Sequence, residues 1–131
     1  MIYTVGMLCK HFKGKDLIEK NIYRIEKIGV NGSDINPEEI KYAGDNDLES
    51  AVNLVVYTNI FQDENNVFCR EYDYISGELT DDKKEEFKQT RKVEPLTDDE
   101  IAYINIPEFI EKKKEYMKNK YSTQSNQAQK K

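Results

Sequence analysis

The segment from Val52 to Phe61, with Leu54-Val55-Val56-Tyr57 at its centre, is the most apolar run in the chain. It is rich in β-branched and aromatic residues, so it predicts the central strand of the sheet. Four turn-forming residues, Asp63-Glu64-Asn65-Asn66, follow it, and Val67 to Ile75 then resumes strand character. Four residues cannot accommodate a crossover helix, so these two strands must pair antiparallel.

Two further strands precede this hairpin. Tyr3 to Phe12 alternates weakly, with Gly6 placed for a bulge, and Ile22 to Val30 alternates more clearly before Gly29, Asn31 and Gly32 end it. Ser33 to Ser50 turns acidic and loop-like, with Pro37 allowing one helical turn from Asn36. After Gly77 the pattern becomes helical. Thr80 is positioned to cap a charged helix from Asp81 to about Thr90. Thr97 to Glu100 matches the capping-box pattern ahead of Ile101 and Ile104. Pro107 opens a third helix, in which Phe109, Ile110, Lys113, Tyr116 and Met117 fall at helical spacing. Strands followed by helices predict an α+β fold, a small antiparallel sheet followed by C-terminal helices. The expected organisation is a β-sheet domain over 1–77, a helical extension packed on it over 78–121, and a disordered tail over 122–131 that has nothing larger than Ala to bury.

The 131 residues carry a net charge of -5, which opposes attraction to a duplex phosphate backbone, so no duplex DNA partner is expected. The charge is uneven: Met1 to Val30 holds six basic against three acidic side chains, and the chain is basic again from Lys112. No window approaches the roughly 18 apolar residues of a membrane span, and the opening Met-Ile-Tyr-Thr-Val-Gly lacks a signal pattern, so a cytoplasmic protein with no membrane partner is expected. Two cysteines are too few for a disulfide framework, and Cys9 and Cys69 read as small buried hydrophobes.

Lys10-His11-Phe12-Lys13-Gly14, Tyr23-Arg24-Ile25, Asn53-Leu54-Val55-Val56-Tyr57 and Phe68-Cys69-Arg70 together resemble a small bacterial family, domain of unknown function 1653. Its pattern is a His-Phe/Tyr-Lys-Gly opening, a Tyr-x-Val strand, a Val-Val-Tyr strand and a late Arg. The resemblance covers about Val5 to Ile75 and implies a small curved sheet or an SH3-like barrel, with His11, Lys13, Gly14, Tyr23, Tyr57 and Arg70 as the pattern residues. Two departures stand out. Lys15 to Asn21 is inserted where the family continues Gly-Asn-x-Tyr, and Glu71 replaces the Pro that follows its Arg. The family label carries no chemistry, so function must be argued from the site.

His11 is the single histidine, and in a strand it points the same way as Cys9, about 7 Å away along the backbone. A Cys-His nucleophile pair needs an orienting third group and an oxyanion hole, and no residue pattern supplies them. The competing reading is that His11 hydrogen-bonds the turn at Gly14. Cys9, His11 and Cys69 have zinc-ligating chemistry but no C-x-x-C spacing, so no metal and no cofactor are expected. Adjacent carboxylates such as Glu38-Glu39 and Asp98-Asp99 sit at helix starts or in exposed runs and do not converge. No phosphate-loop, dinucleotide or nucleophile-elbow motif is present.

The strongest candidate site is cationic. Lys13 and His11 around Gly14, with Lys10, Lys15 and Arg70, form a set suited to an anion. Arg70 beside Tyr57, Phe68 or Tyr72 has the chemistry to clamp a phosphate while an aromatic face takes a base. The expected function is therefore a non-catalytic binding protein for a small anionic, nucleotide-like ligand or a protein partner. Its amphipathic C-terminal helix is a candidate homodimer contact. Richness in Lys, Asn, Ile and Tyr fits an AT-rich source, where a phage or mobile-element factor that sequesters a nucleotide is one form such a protein would take. The alternatives are a single-stranded nucleic-acid module and a Cys-dependent enzyme.

Overall fold

In chain order the strands are β1 (Leu8–His11), β2 (Ile22–Val30), β3 (Lys41–Tyr42), β4 (Leu54–Asn59), β5 (Val67–Glu71) and β6 (Val93–Pro95). The helices are α1 (Tyr72–Ile75), α2 (Asp81–Phe87), α3 (Asp98–Ile104) and α4 (Pro107–Gln129). This is a computed structural model that describes the backbone of residues 2–129 and the side chains of residues 2–120. Of the tail expected over 122–131, the backbone of 122–129 continues α4, and residues 130–131 lie outside the described residues.

All six residues of β4 are buried, as its apolar sequence requires, and the sheet is built outward from it in the order β3-β5-β4-β2-β1-β6. β4 pairs antiparallel with both β2 and β5, and β1 pairs antiparallel with β2 and β6. The architecture is α+β. The sheet is mixed and open, because two-residue β3 runs parallel to β5 at one edge and three-residue β6 ends the other. It therefore does not close as an SH3-like barrel: other segments bury both faces, so the edges need not meet.

One face buries Leu54, Val56 and Cys69 under Ala51 and the Ser33 to Ser50 loop, whose Ile35, Ile40, Tyr42 and Leu48 pack inward. On the same face, Ile22 meets Leu17, Leu96, Ile104 and Phe109 beneath α3 and α4. The opposite face holds Cys9, Ile25, Val55, Tyr57 and Val93, covered by Tyr3 and Ile75.

Three local readings change in three dimensions. The first strand begins at Leu8 rather than Tyr3, because Gly6 at φ 89° turns the chain and its N–H donates to the Ile25 carbonyl at 2.7 Å. Tyr3 instead plugs the core, its hydroxyl within hydrogen-bond reach of the carbonyls of Ile75 (2.9 Å) and Val93 (2.6 Å). The strand from Val67 stops at Glu71, and the chain coils into α1, whose Ile75 is buried in the core. The region after Gly77 is not purely helical, since Val93–Pro95 adds β6 beside β1.

Two lysines hold the segment Lys15 to Asn21 in place. Lys113, wholly buried on the apolar stripe of α4, donates to the carbonyls of Leu17 (2.8 Å), Ile18 (2.6 Å) and Lys20. Burial lowers its pKa to about 8. Lys20 donates in turn to the carbonyls of Phe12 (2.7 Å) and Phe87 (3.2 Å) and to Gln89 Oε1 (3.2 Å). Each satisfies main-chain groups that would otherwise be buried without partners.

Candidate functional site

Residues directly opposite in an antiparallel pair share a face. Cys9 lies opposite Tyr23, Ile25 opposite Tyr57, Tyr57 opposite Phe68, and Val55 opposite Arg70. The period of two along each strand adds His11, so His11, Tyr23, Tyr57, Phe68 and Arg70 all stand on one side of the sheet. Their rings form a row across β1, β2, β4 and β5. Centroids are 6.3 Å apart from His11 to Tyr23, 4.6 Å from Tyr23 to Tyr57, and 5.9 Å from Tyr57 to Phe68, the last pair stacked at 22°. Tyr57 is buried, while His11, Tyr23 and Phe68 are half-buried.

Arg70 follows Phe68 along the same face of β5. Its guanidinium carbon lies 3.3 Å from the centroid of the Tyr74 ring, and Lys92 Nζ lies 3.9 Å from the same centroid. The Arg70 side chain is 20% exposed, and its Nε is buried with no hydrogen-bond partner. The nearest carboxylate, Asp45 Oδ2, is 4.0 Å from Nη2 on a side chain that is 99% exposed. A guanidinium carries five N–H donors, and a buried donor left unused is uncommon in folded chains.

The imidazole at the other end of the row is held neutral. Burial, and after it the positive charges of Lys13, Lys20, Arg70 and Lys120, together lower the His11 pKa to about 4. The Lys13 N–H donates to His11 Nδ1 at 3.4 Å, so the ring carries its proton on Nε2 and presents a donor. At neutral pH such a group is a weak base. The Tyr57 hydroxyl is likewise kept protonated, its pKa raised by burial against the opposing charge of Arg70.

The other sequence-derived candidates fall elsewhere. Lys13 and Gly14 form the turn after β1, where Gly14 at φ 116° passes so close to the next segment that a Cβ would stand 2.9 Å from Glu19 Cβ and Lys20 N. Gly14 is thus demanded by the turn itself. Lys10 points to the opposite face and pairs with Glu100 at 2.7 Å, and the Lys15 N–H donates to Glu19 Oε1. Tyr72 meets Tyr3 edge-on at 5.5 Å, and its hydroxyl accepts from the Ile2 N–H at 3.3 Å. It supports the N-terminal segment, and Tyr74 takes the place beside Arg70.

Cys9 and Cys69 lie in separate core clusters on opposite faces of the sheet, both fully buried. Burial pushes their thiols up to about 12 and about 11. Among the described residues no group of three His, Cys, Asp or Glu is arranged to hold a metal ion, and no helix is long and apolar enough to cross a membrane. A separate concavity of about 460 Å³ lies at the β4–β5 end, lined by Asp47, Ser50, Asn53, Glu71 and Asp73 among others.

Sequence reasoning did not select Tyr74 or Lys92 and reached Tyr23 only through the family resemblance. No spacing could have found the first two, since they meet Arg70 only because α1 folds back beside β5 and Lys92 returns from a distant turn. In comparisons with known proteins, no family model, curated protein or solved structure matches the chain.

Proposed function

We propose that this chain is a small non-catalytic binding protein of the cytoplasm whose aromatic sheet face receives the flat part of a small, nucleotide-like anion while Arg70 receives its charge. The observation that carries the reading is the Arg70 guanidinium, mostly buried, stacked on Tyr74 and donating no hydrogen bond through its buried Nε, at the end of a row of rings. Aromatic faces hold a base without reading its sequence, and a planar guanidinium matches the oxygen pairs of phosphate. The net charge of -5 disfavours long polyanions, so affinity for an anion depends on cations placed locally. A neutral His11 offers a donor to such a ligand, and the two sealed, protonated thiols offer no nucleophile at neutral pH. A protein of this kind acts by stoichiometric capture, as a phage or mobile-element factor would.

The test is native mass spectrometry of the protein purified from its own host, combined with calorimetric titration by adenosine 5′-monophosphate. The reading expects a retained nucleotide-sized mass or binding in the titration, and at least a tenfold loss in Arg70→Ala. A ligand-free protein that ignores millimolar mononucleotide overturns it. Binding to an oligonucleotide alone, with steep salt dependence, would favour the single-strand alternative instead.

A further inference from the structure

We infer that the charged group of the ligand is a phosphate monoester in its dianionic form, held jointly by Arg70 and Lys92 over the edge of Tyr74. This inference rests on the binding reading given above and adds the identity of the anion. Both cations lie against one ring, at 3.3 Å and 3.9 Å from its centroid, so two positive charges stand close together. Like charges held near one another in a partly buried setting repel. Aromatic rings attract single cations through the quadrupole, but that attraction does not neutralise charge.

The counter-charge present is small. Among the described residues, Lys92 has no carboxylate within 4.0 Å, and Arg70 has only the solvent-exposed Asp45 at that limit. An ion pair so open to water is weak. Within 4.0 Å the two cations are therefore matched by one solvent-exposed carboxylate alone. A carboxylate or a phosphodiester brings one negative charge and leaves the other cation unmatched. A phosphate monoester brings roughly 1.5 to 2 charges at pH 7 and three acceptor oxygens. Two of those oxygens suit the fork of Arg70, and the third suits the ammonium of Lys92, which acts as a point charge.

The second ionisation of a phosphate monoester falls near pH 6. His11 is the only histidine and stays neutral down to about pH 4, so over pH 5.0 to 7.5 the ligand supplies the titrating group.

The experiment compares adenosine 5′-monophosphate with its 3′,5′-cyclic diester by calorimetry at pH 5.0 and 7.5. The monoester is expected to bind at least tenfold tighter at pH 7.5, and the cyclic diester to change less than twofold. Lys92→Gln is expected to bring the monoester down to the affinity of the diester while leaving the diester within twofold. Equal, pH-independent binding of both nucleotides would overturn the dianion while leaving the anion-binding reading intact. If neither nucleotide binds at either pH, and inorganic phosphate does not perturb the side-chain resonances of Arg70 and Lys92, both fall together.

Discussion

Arg70 lies with its guanidinium carbon 3.3 Å from the centre of the Tyr74 ring, and the two residues are separated by the point where β5 turns into α1. The ring also carries Lys92, so one aromatic side chain positions both cations. Tyr74→Phe keeps the face and is expected to retain anion affinity within threefold. Tyr74→Leu removes the quadrupole and is expected to lower affinity at least tenfold, as read by titration with adenosine 5′-monophosphate.

His11 supplies a pH signature. Its folded pKa of about 4 lies below the ordinary 6.5, so between those values the unfolded chain binds more protons than the folded one. The contribution is fully present above pH 6.5 and is lost as pH falls toward 4. The stability difference between wild type and His11→Gln should therefore shrink by about 2–3 kcal/mol from pH 7 to pH 4 in urea unfolding. Proton NMR of the imidazole should give a midpoint near 4. A midpoint at 6 or above would show that the half-buried ring keeps its ordinary hydration.

The two cysteines should be silent in the native protein. With thiols pushed to about 12 and about 11 and no exposed surface, reaction with an aromatic disulfide reagent at pH 8 should be at least a hundredfold slower than in urea. Its rate should track global unfolding. Fast labelling of either thiol in native buffer would contradict the packing of that face.

Lys113 is the anchor of α4. Its replacement by Met preserves much of the volume but strands the carbonyls of Leu17, Ile18 and Lys20 without their donor. A loss of about 3 kcal/mol in urea unfolding is expected. A loss below about 0.5 kcal/mol would mean that water or another group replaces the ammonium.

The two helix caps separate sequence pattern from realised contact. Thr97 accepts from the Glu100 N–H while the Glu100 carboxylate accepts from the Thr97 N–H, completing the capping box anticipated from the residues alone. Thr80 occupies the cap position of α2, yet its side chain makes no capping hydrogen bond. Thr97→Ala should cost about 1 kcal/mol and Thr80→Ala much less, as measured by thermal unfolding.

The capping box was legible because both partners lie within four residues. So was the β4–β5 hairpin, because a four-residue gap between apolar strands leaves one geometry. The bounds of β2 follow from alternation ended by Gly29 and Asn31, and the stripe of α4 follows from its helical period. What sequence could not supply is which strands lie side by side and what covers them. β6 has too few residues to announce itself and forms only because β1 offers a free edge. Lys113 looks like a surface charge interrupting an apolar stripe until the loop after Gly14 delivers three carbonyls to it.

Local pattern thus settled that a sheet and capped helices would form, and it put His11, Tyr57, Phe68 and Arg70 on strands. Only the tertiary structure placed those four on one face, set Tyr72 against Tyr3 and brought Tyr74 and Lys92 to Arg70. The physical reason is range: hydrogen-bonded caps and strand alternation act between near neighbours, whereas a shared face depends on strand order and register between residues tens of positions apart.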